Sequence, residues 1–304
     1  MIRTILLALG FLFMNAMGNC KSLDLHGEIH RITDGDVSLF DGREVTNGTL
    51  IIPQGNYLLR VKKMSGACLI IGDNMELVID GTLQLAPNDY KSCDVIRVVG
   101  RNVKIRGKGS IIGDRYEHTG NEGEWGMGIR LKGSDDVTIS GLTIADCWGD
   151  CIYIGGGSKN TIISDCLLRG SRRQGISITR ADSVTISHCR LADISGTNPQ
   201  YAIDIEPNEG CVVDNVLIQN VSVTGCEGGF RAIAYKKEKR NVRIGRVEIR
   251  NCSVMAKSRK TIQFVGCEQA VVSNCFIETR KGEKPIVTRK VGRLFESNNM
   301  VDYK

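Results

Sequence analysis

One six-residue pattern recurs through the second half of the chain and constrains it more than any other feature. ISGLTI (139 to 144), ISDCLL (163 to 168), ISHCRL (186 to 191), IQNVSV (218 to 223), IRNCSV (249 to 254) and VSNCFI (272 to 277) align without gaps. Their fourth positions are Leu142, Cys166, Cys189, Val221, Cys252 and Cys275, spaced 24, 23, 32, 31 and 23 residues apart. A period of that size is one coil of a solenoid, made of about three short strands and their turns; a single coil cannot bury its apolar side until another stacks on it. The first, fourth and sixth residues of each block are apolar with polar residues between them, as a strand with one buried face requires.

A second register supports the first. EWGMGIRL (124 to 131), CWGDCIYI (147 to 154), SRRQGISI (171 to 178), YAIDI (201 to 205), RAIAY (231 to 235) and KTIQF (260 to 264) stack Ile129, Ile152, Ile176, Ile203, Ile233 and Ile262 inward. LVIDGTL (77 to 83) and VKIRGKGSI (103 to 111) read as earlier, less regular coils. The fold class predicted from the two registers is all-β, a right-handed parallel β-helix.

The repeat also explains the cysteines. Twelve in one chain would ordinarily suggest disulfides. Those in the repeat, however, replace Val or Leu in an inward column, so they are expected as a ladder of buried thiols. Disulfide or metal roles are the weaker readings, and Cys147 and Cys151 are the one pair close enough in sequence to pair locally. The residue before that column is Asp165, His188, Asn220, Asn251 or Asn274, types that suit a turn repeated on every coil. His188 is therefore read as a turn residue and not as a catalyst.

The first residues read as a targeting signal: Arg3, an apolar run from Ile5 to Met14, and Ala16-Met17-Gly18 as a small-x-small cleavage site. Residues 1–18 are assigned to a signal peptide and 19–304 to one β-helix domain, which predicts a secreted, periplasmic or cell-surface protein without a membrane span. Cys20 stands where a bacterial lipoprotein carries its lipid, although Asn19 before it is larger than that processing favours. The net charge of +6, from 40 basic and 34 acidic residues, favours an acidic polymer over nucleic acid as partner. The oligomeric state has no signature in the sequence.

Side chains pointing out of a stacked sheet form columns, so the second register predicts a shared surface. Trp125 falls beside Trp148 and Arg172. Met127, Asp150, Gln174, Tyr201 and Arg231 form a second column, Arg130, Tyr153, Ser177 and Asp204 a third, and Lys132, Gly155, Thr179 and Glu206 a fourth. Trp faces stack on sugar C–H surfaces, guanidiniums neutralise uronates and carboxylates move protons, which is the chemistry of a carbohydrate site. An ordinary solvated face is the competing reading. The irregular stretch DRYEHTGNEGE (114 to 124) adds His118, Glu122 and Glu124 as candidates. Asp204 and Glu206 could contribute to a calcium site, but two carboxylates are far short of the six to eight oxygens calcium takes. No metal ligand set or cofactor is assigned.

The run WGDCIYIGGGSKNTIISDCLLRGSRRQGISI (148 to 178), with GSIIGDRYEHTGNEGEWG before it, resembles the pectin-lyase-like superfamily of β-helices and, within it, the polygalacturonase type of glycoside hydrolase. The resemblance spans roughly Ile105 to Ile205. It implies that Asp150 matches the second aspartate of the family's GDDC motif. Gly149 replaces the first, Gln174 stands in place of the GHG histidine, and Met127 is near the position of a further catalytic aspartate. Inverting hydrolysis needs two carboxyl groups roughly 6.5–9.5 Å apart. Asp204 is offset from Asp150 by two coils and three strand positions, about 10 Å along the strand alone. Other superfamily members are lyases and uronate epimerases, which abstract the proton beside a neutralised carboxylate, and Tyr153, Tyr201, Arg130, Arg172 and Arg173 offer suitable groups.

The sequence therefore predicts a protein that cleaves or modifies an acidic polysaccharide, as lyase, epimerase or glycoside hydrolase. Asp150, Asp204, Tyr153 and Arg173 are the catalytic candidates; Trp125, Trp148, Arg130, Arg172, Gln174, Tyr201, Glu206 and His118 are the substrate-binding candidates. The alternatives are a non-catalytic polysaccharide-binding or structural β-helix, and a disulfide-linked surface protein if the cysteines pointed outward.

Overall fold

The computed structural model describes residues 22–32, 40–61, 66–234, 241–257 and 261–304. The leader assigned to residues 1–18 and the lipidation candidate Cys20 lie outside the described residues. Each coil passes through three strands, and the coils stack into three parallel sheets of eleven, eleven and ten strands. The chain is an all-β right-handed solenoid. One coil comprises Trp125–Lys132, Asp135–Ser140 and Thr143–Ala145; the next comprises Ile152–Gly155, Ser158–Ser164 and Leu167–Arg169.

The six-residue pattern marks the passage from the second sheet to the third. Ile139, Ile163, Ile186, Ile218, Ile249 and Val272 pair in one unbroken column, and Ile144, Leu168, Leu191, Val223, Val254 and Ile277 in another. All twelve are buried, and stacked Ile, Leu and Val side chains fill the interior. Between the two columns the chain turns through a left-handed residue. Asp165, His188, Asn220, Asn251 and Asn274 have φ of 56°, 53°, 53°, 52° and 54°. Asn and Asp tolerate this region best among residues with a side chain. His188 is a member of this ladder, its Nε2 3.1 Å from Asn220 Nδ2. A second asparagine ladder, unread in the sequence, runs through an earlier turn, where Asn102 donates to Asn74 and Asn74 to Asn47 at 3.0 and 3.1 Å.

The cysteine ladder faces inward as expected. The eleven described cysteines are free thiols, ten of them buried and Cys211 half-buried. Cys166, Cys189, Cys252 and Cys275 each donate from Sγ to the carbonyl two residues earlier, at 3.2, 3.2, 3.1 and 3.3 Å. A thiol thus fills the space of Val and also gives the carbonyl before the turn a donor.

One register differs from the sequence alignment. Ile203 pairs with Phe230, and Phe230 with Ile262, whereas Ile233 pairs with Val265. The alignment matched isoleucine to isoleucine; the fold instead places Gly228 opposite Tyr201 and threads Gly229 against the next coil, where Thr261 O lies 2.0 Å from the place a Cβ would occupy. Arg231 therefore stands beside Asp204 and not in the column of Gln174 and Tyr201.

Candidate functional site

The outward side of the first sheet carries a row of arginines seated on buried carboxylates. Successive residues in one column are Arg97, Arg130, Tyr153, Ser177, Asp204, Arg231 and Gln263. Neighbouring strands are about 4.8 Å apart, so this column runs along the solenoid axis. Flanking it are Asp94, Met127 and Asp150, three positions earlier on their coils.

Asp94, wholly buried, binds two guanidiniums: Arg97 at 2.6 Å and Arg130 at 2.7 Å. Asp150, also wholly buried, accepts from Arg173 Nη1 at 3.0 and 3.2 Å, and its own N–H is directed at Met127 Sδ, 3.3 Å away. Arg173 Nε also faces Glu124 at 3.6 Å. Asp204 accepts from Gln174 Nε2 at 2.9 Å and faces Arg231 Nε at 3.7 Å, while Arg231 Nη2 reaches Glu206 at 3.1 Å. The two carboxylates raised as calcium candidates thus share a guanidinium. Among the described residues no three or more His, Cys, Asp or Glu side chains form a group able to hold a metal ion.

The electrostatics of the three aspartates differ. Burial raises Asp94 and Asp150, and for both the adjoining guanidiniums oppose it, because a charged arginine favours the carboxylate. Asp204 is pushed up to about 7, chiefly by burial, with Arg231 opposing and Glu206 reinforcing. Its Oδ1 is buried without a hydrogen-bond partner. A carboxyl group that titrates near neutrality can both give and take a proton.

The aromatic candidates divide by exposure. Trp125 is 45% exposed at the edge of this face. Trp148 is clamped, with the His118 ring stacked 3.9 Å from its centroid at 17° and the Arg172 guanidinium 3.4 Å from its ring. His118 Nδ1 meets Asp114 at 2.7 Å with both side chains buried. Arg172 further donates to Trp148 O at 2.8 Å and to Gly123 O. These contacts fasten the 114–124 loop to the coil and place His118 in packing rather than on the open surface. Tyr201 is likewise buried, 5.4 Å beneath Arg231, with its phenol donating to Gln263 at 3.3 Å. Burial pushes that phenol up to about 12, so it stays protonated at neutral pH. Tyr153 is half-buried, its hydroxyl accepting from Thr179 at 2.8 Å and its ring 4.9 Å from Arg130.

The structure thus brings Asp150, Arg173, Gln174, Asp204, Tyr153, Arg130 and Glu206 to one face, and adds Asp94, Arg97 and Arg231 as charged partners. Asp94 and Arg97 are not among the candidates named from the sequence, although CDVIRV (93 to 98) matches GMGIRL (126 to 131) with Arg97 in register with Arg130.

Three parallel sheets wound around an aliphatic core, with a charged outward face, define a parallel β-solenoid. The chain belongs to the right-handed β-helix family: the model described as right handed beta helix region matches residues 88–244 and 127–283. The SPbeta prophage-derived uncharacterized protein YorA of Bacillus subtilis (strain 168) is 34% identical over 188 residues, 54% of this chain and 32% of its own length. The match therefore spans about a third of that relative. Among solved structures, the endo-xylogalacturonan hydrolase of Aspergillus tubingensis superposes with a TM-score of 0.62 at 14% identity, over 91% of this chain and 93% of the hydrolase. The A-module of Azotobacter vinelandii mannuronan C-5 epimerase AlgE6 gives 0.58 at 13% identity, over 84% and 71%. At such identities the likeness is one of fold.

Proposed function

We propose that the first-sheet face binds an acidic, uronate-containing polysaccharide and modifies it by proton transfer, as a lyase or an epimerase. The observation that carries this reading is the row of guanidiniums from Arg97 to Arg231, each pinned to a buried carboxylate and each still 10–19% exposed at its side chain. Pinned guanidiniums are preorganised for carboxylate groups along a chain, since little side-chain freedom remains to be lost on binding. A guanidinium on a uronate carboxylate also acidifies the adjacent C–H, the proton that lyases and epimerases remove. Asp204 is the group suited to move it. Both oxygens of Asp94 and of Asp150 are engaged by arginines, which argues against paired-carboxylate hydrolysis, whereas Asp204, equally buried, has an Oδ1 with no hydrogen bond that a shift of Arg231 onto the uronate would uncover. The polysaccharide-related names of the hydrolase and epimerase that share the fold support the substrate class. The export signal read in residues 1–18 would place the protein where such polymers occur.

The complete coverage of Asp94 and Asp150 also favours a second reading, a binding protein without turnover. A screen of acidic and neutral polysaccharides with the protein and its Asp204→Asn variant separates the two. Unsaturated uronate absorbance, or a changed uronate epimer ratio by proton NMR, lost in the variant, supports the proposal. New reducing ends without unsaturation would make it a hydrolase. Binding with no chemical change would leave the non-catalytic reading.

A further inference from the structure

Gln174 occupies the position at which the resemblance implies a histidine, and its side chain is wholly buried. Its Oε1 accepts the N–H of Tyr201 at 2.6 Å, and its Nε2 donates to Asp204 Oδ2 at 2.9 Å. A backbone N–H can only donate, so it fixes which end of the amide faces it and leaves the NH2 end to Asp204. Oδ2 of Asp204 is therefore an acceptor in either protonation state. Oδ1 is the oxygen left to carry a proton; it is buried, lacks a hydrogen bond and faces Arg231 Nε at 3.7 Å.

We propose that Gln174 is a positioning residue that confines the proton of Asp204 to Oδ1, on the side of Arg231, for transfer to a sugar whose carboxylate draws Arg231 aside on the arginine row. This rests on the functional reading above for the identity of the acceptor. In the step, the Oδ1–H bond breaks, the proton passes to the sugar, and the bonding electron pair stays on Asp204. The carboxylate so formed is held by Gln174 on one side and Arg231 on the other. The reverse step takes a proton from the sugar by the same oxygen. The charged groups around Asp204 are Arg231 on Gly228–Ile233, Glu206 just after Tyr201–Ile205, Arg173 just before Ile176–Ile178 and Asp150 just before Ile152–Gly155. None of them supplies the hydrogen bond to Oδ2 that Gln174 gives.

The test is the titration of the Asp204 carboxyl carbon by NMR in the full chain and in Gln174→Met and Gln174→Glu, alongside turnover of whichever acidic polymer the screen identifies. Gln174→Met removes the donor to the charged form, so the Asp204 midpoint moves to higher pH. Gln174→Glu places a second carboxyl against Oδ2, so the pair shares a proton and the loss of that proton also moves to higher pH. Turnover falls by about 100-fold, mainly in kcat, in Gln174→Met, the scale of a misaligned proton donor. Circular dichroism and melting establish that each variant is folded, and the Glu variant serves if the Met variant is not. An Asp204 midpoint unmoved in the folded variants overturns the positioning role, whatever polymer is turned over. A moved midpoint combined with full turnover by Asp204→Asn leaves the geometry standing and overturns the functional reading instead.

Discussion

Arg173 lies over Asp150, its Nη1 3.0 Å from Oδ2 and 3.2 Å from Oδ1 of a carboxylate with none of its side chain exposed. The two residues come from successive coils, so this pair ties neighbouring coils together on the outward face. An ion pair of this kind contributes less to net stability than to fixing a guanidinium in place, since desolvation offsets much of the attraction. Removing one partner is another matter. Arg173→Ala strands the Asp150 charge in a buried site and is expected to destabilise the fold by about 3–5 kcal/mol. Asp150→Asn leaves a guanidinium that still reaches water and is expected to cost less. Chemical denaturation of the two variants measures the difference, and equal losses would contradict the asymmetry.

Asp204 gives the fold a definite pH dependence. Its folded-state value, about 7, lies above the ordinary 3.8, so the native state holds a proton that the unfolded chain releases. The contribution to stability is therefore fully present below about pH 4 and is lost as pH rises to about 7. Burial shifts Asp94, Asp150 and Asp114 in the same direction. Denaturation midpoints are expected to fall between pH 5 and pH 8, and the fall is expected to be smaller in Asp204→Asn. A variant with the slope of the parent protein would show that Asp204 is ionised throughout.

The cysteine ladder predicts the accessibility of thiols. Native protein is expected to react with a thiol reagent at Cys211 first, the described cysteine that is only half-buried, while the ten others react on unfolding. Cys252→Ser keeps the donor to Arg250 O but places a smaller, more polar hydroxyl in an apolar column, at an expected cost of about 1–3 kcal/mol. Rapid labelling of several thiols in the native state would contradict the inward ladder.

The turn ladder gives two substitutions of opposite sign. Asn251→Ala loses the residue type best suited to φ 52° and is expected to cost about 1–2 kcal/mol. His188→Asn extends the ladder with the side chain found at three of the matching turns and is expected to be neutral or stabilising. Thermal melting of the two variants provides the comparison.

Trp148 anchors the 114–124 loop through His118 and Arg172. Trp148→Ala is expected to leave the coils intact and to raise hydrogen exchange in that loop at least tenfold, about 1.4 kcal/mol of lost protection. Unchanged exchange would assign the loop's order to the Lys91–Glu122 pair instead.

The solenoid, the inward columns and the turn ladder were legible in the sequence alone. These follow from a period of alternation and a repeated left-handed turn residue, both of which are local and recur often enough to be read without a structure. Most of the site's columns were legible in the same way, because Arg130, Tyr153, Ser177 and Asp204 inherit their alignment from the isoleucines before them. Tertiary packing set where that inheritance fails and how outward side chains bend once they leave the backbone. The coil after Ile205 is three residues out of the expected register, since Gly228 and Gly229 let it approach closely and Phe230 fills the isoleucine column. That shift delivers Arg231 to Asp204. Tyr201, His118 and Trp148 all belong to segments that read as surface, yet each is covered by a side chain from another coil or loop. Long arginines folding back over carboxylates and rings produce that coverage, and alternation, which reports only the direction in which Cβ leaves the strand, carries no information about where a guanidinium four bonds further out comes to rest.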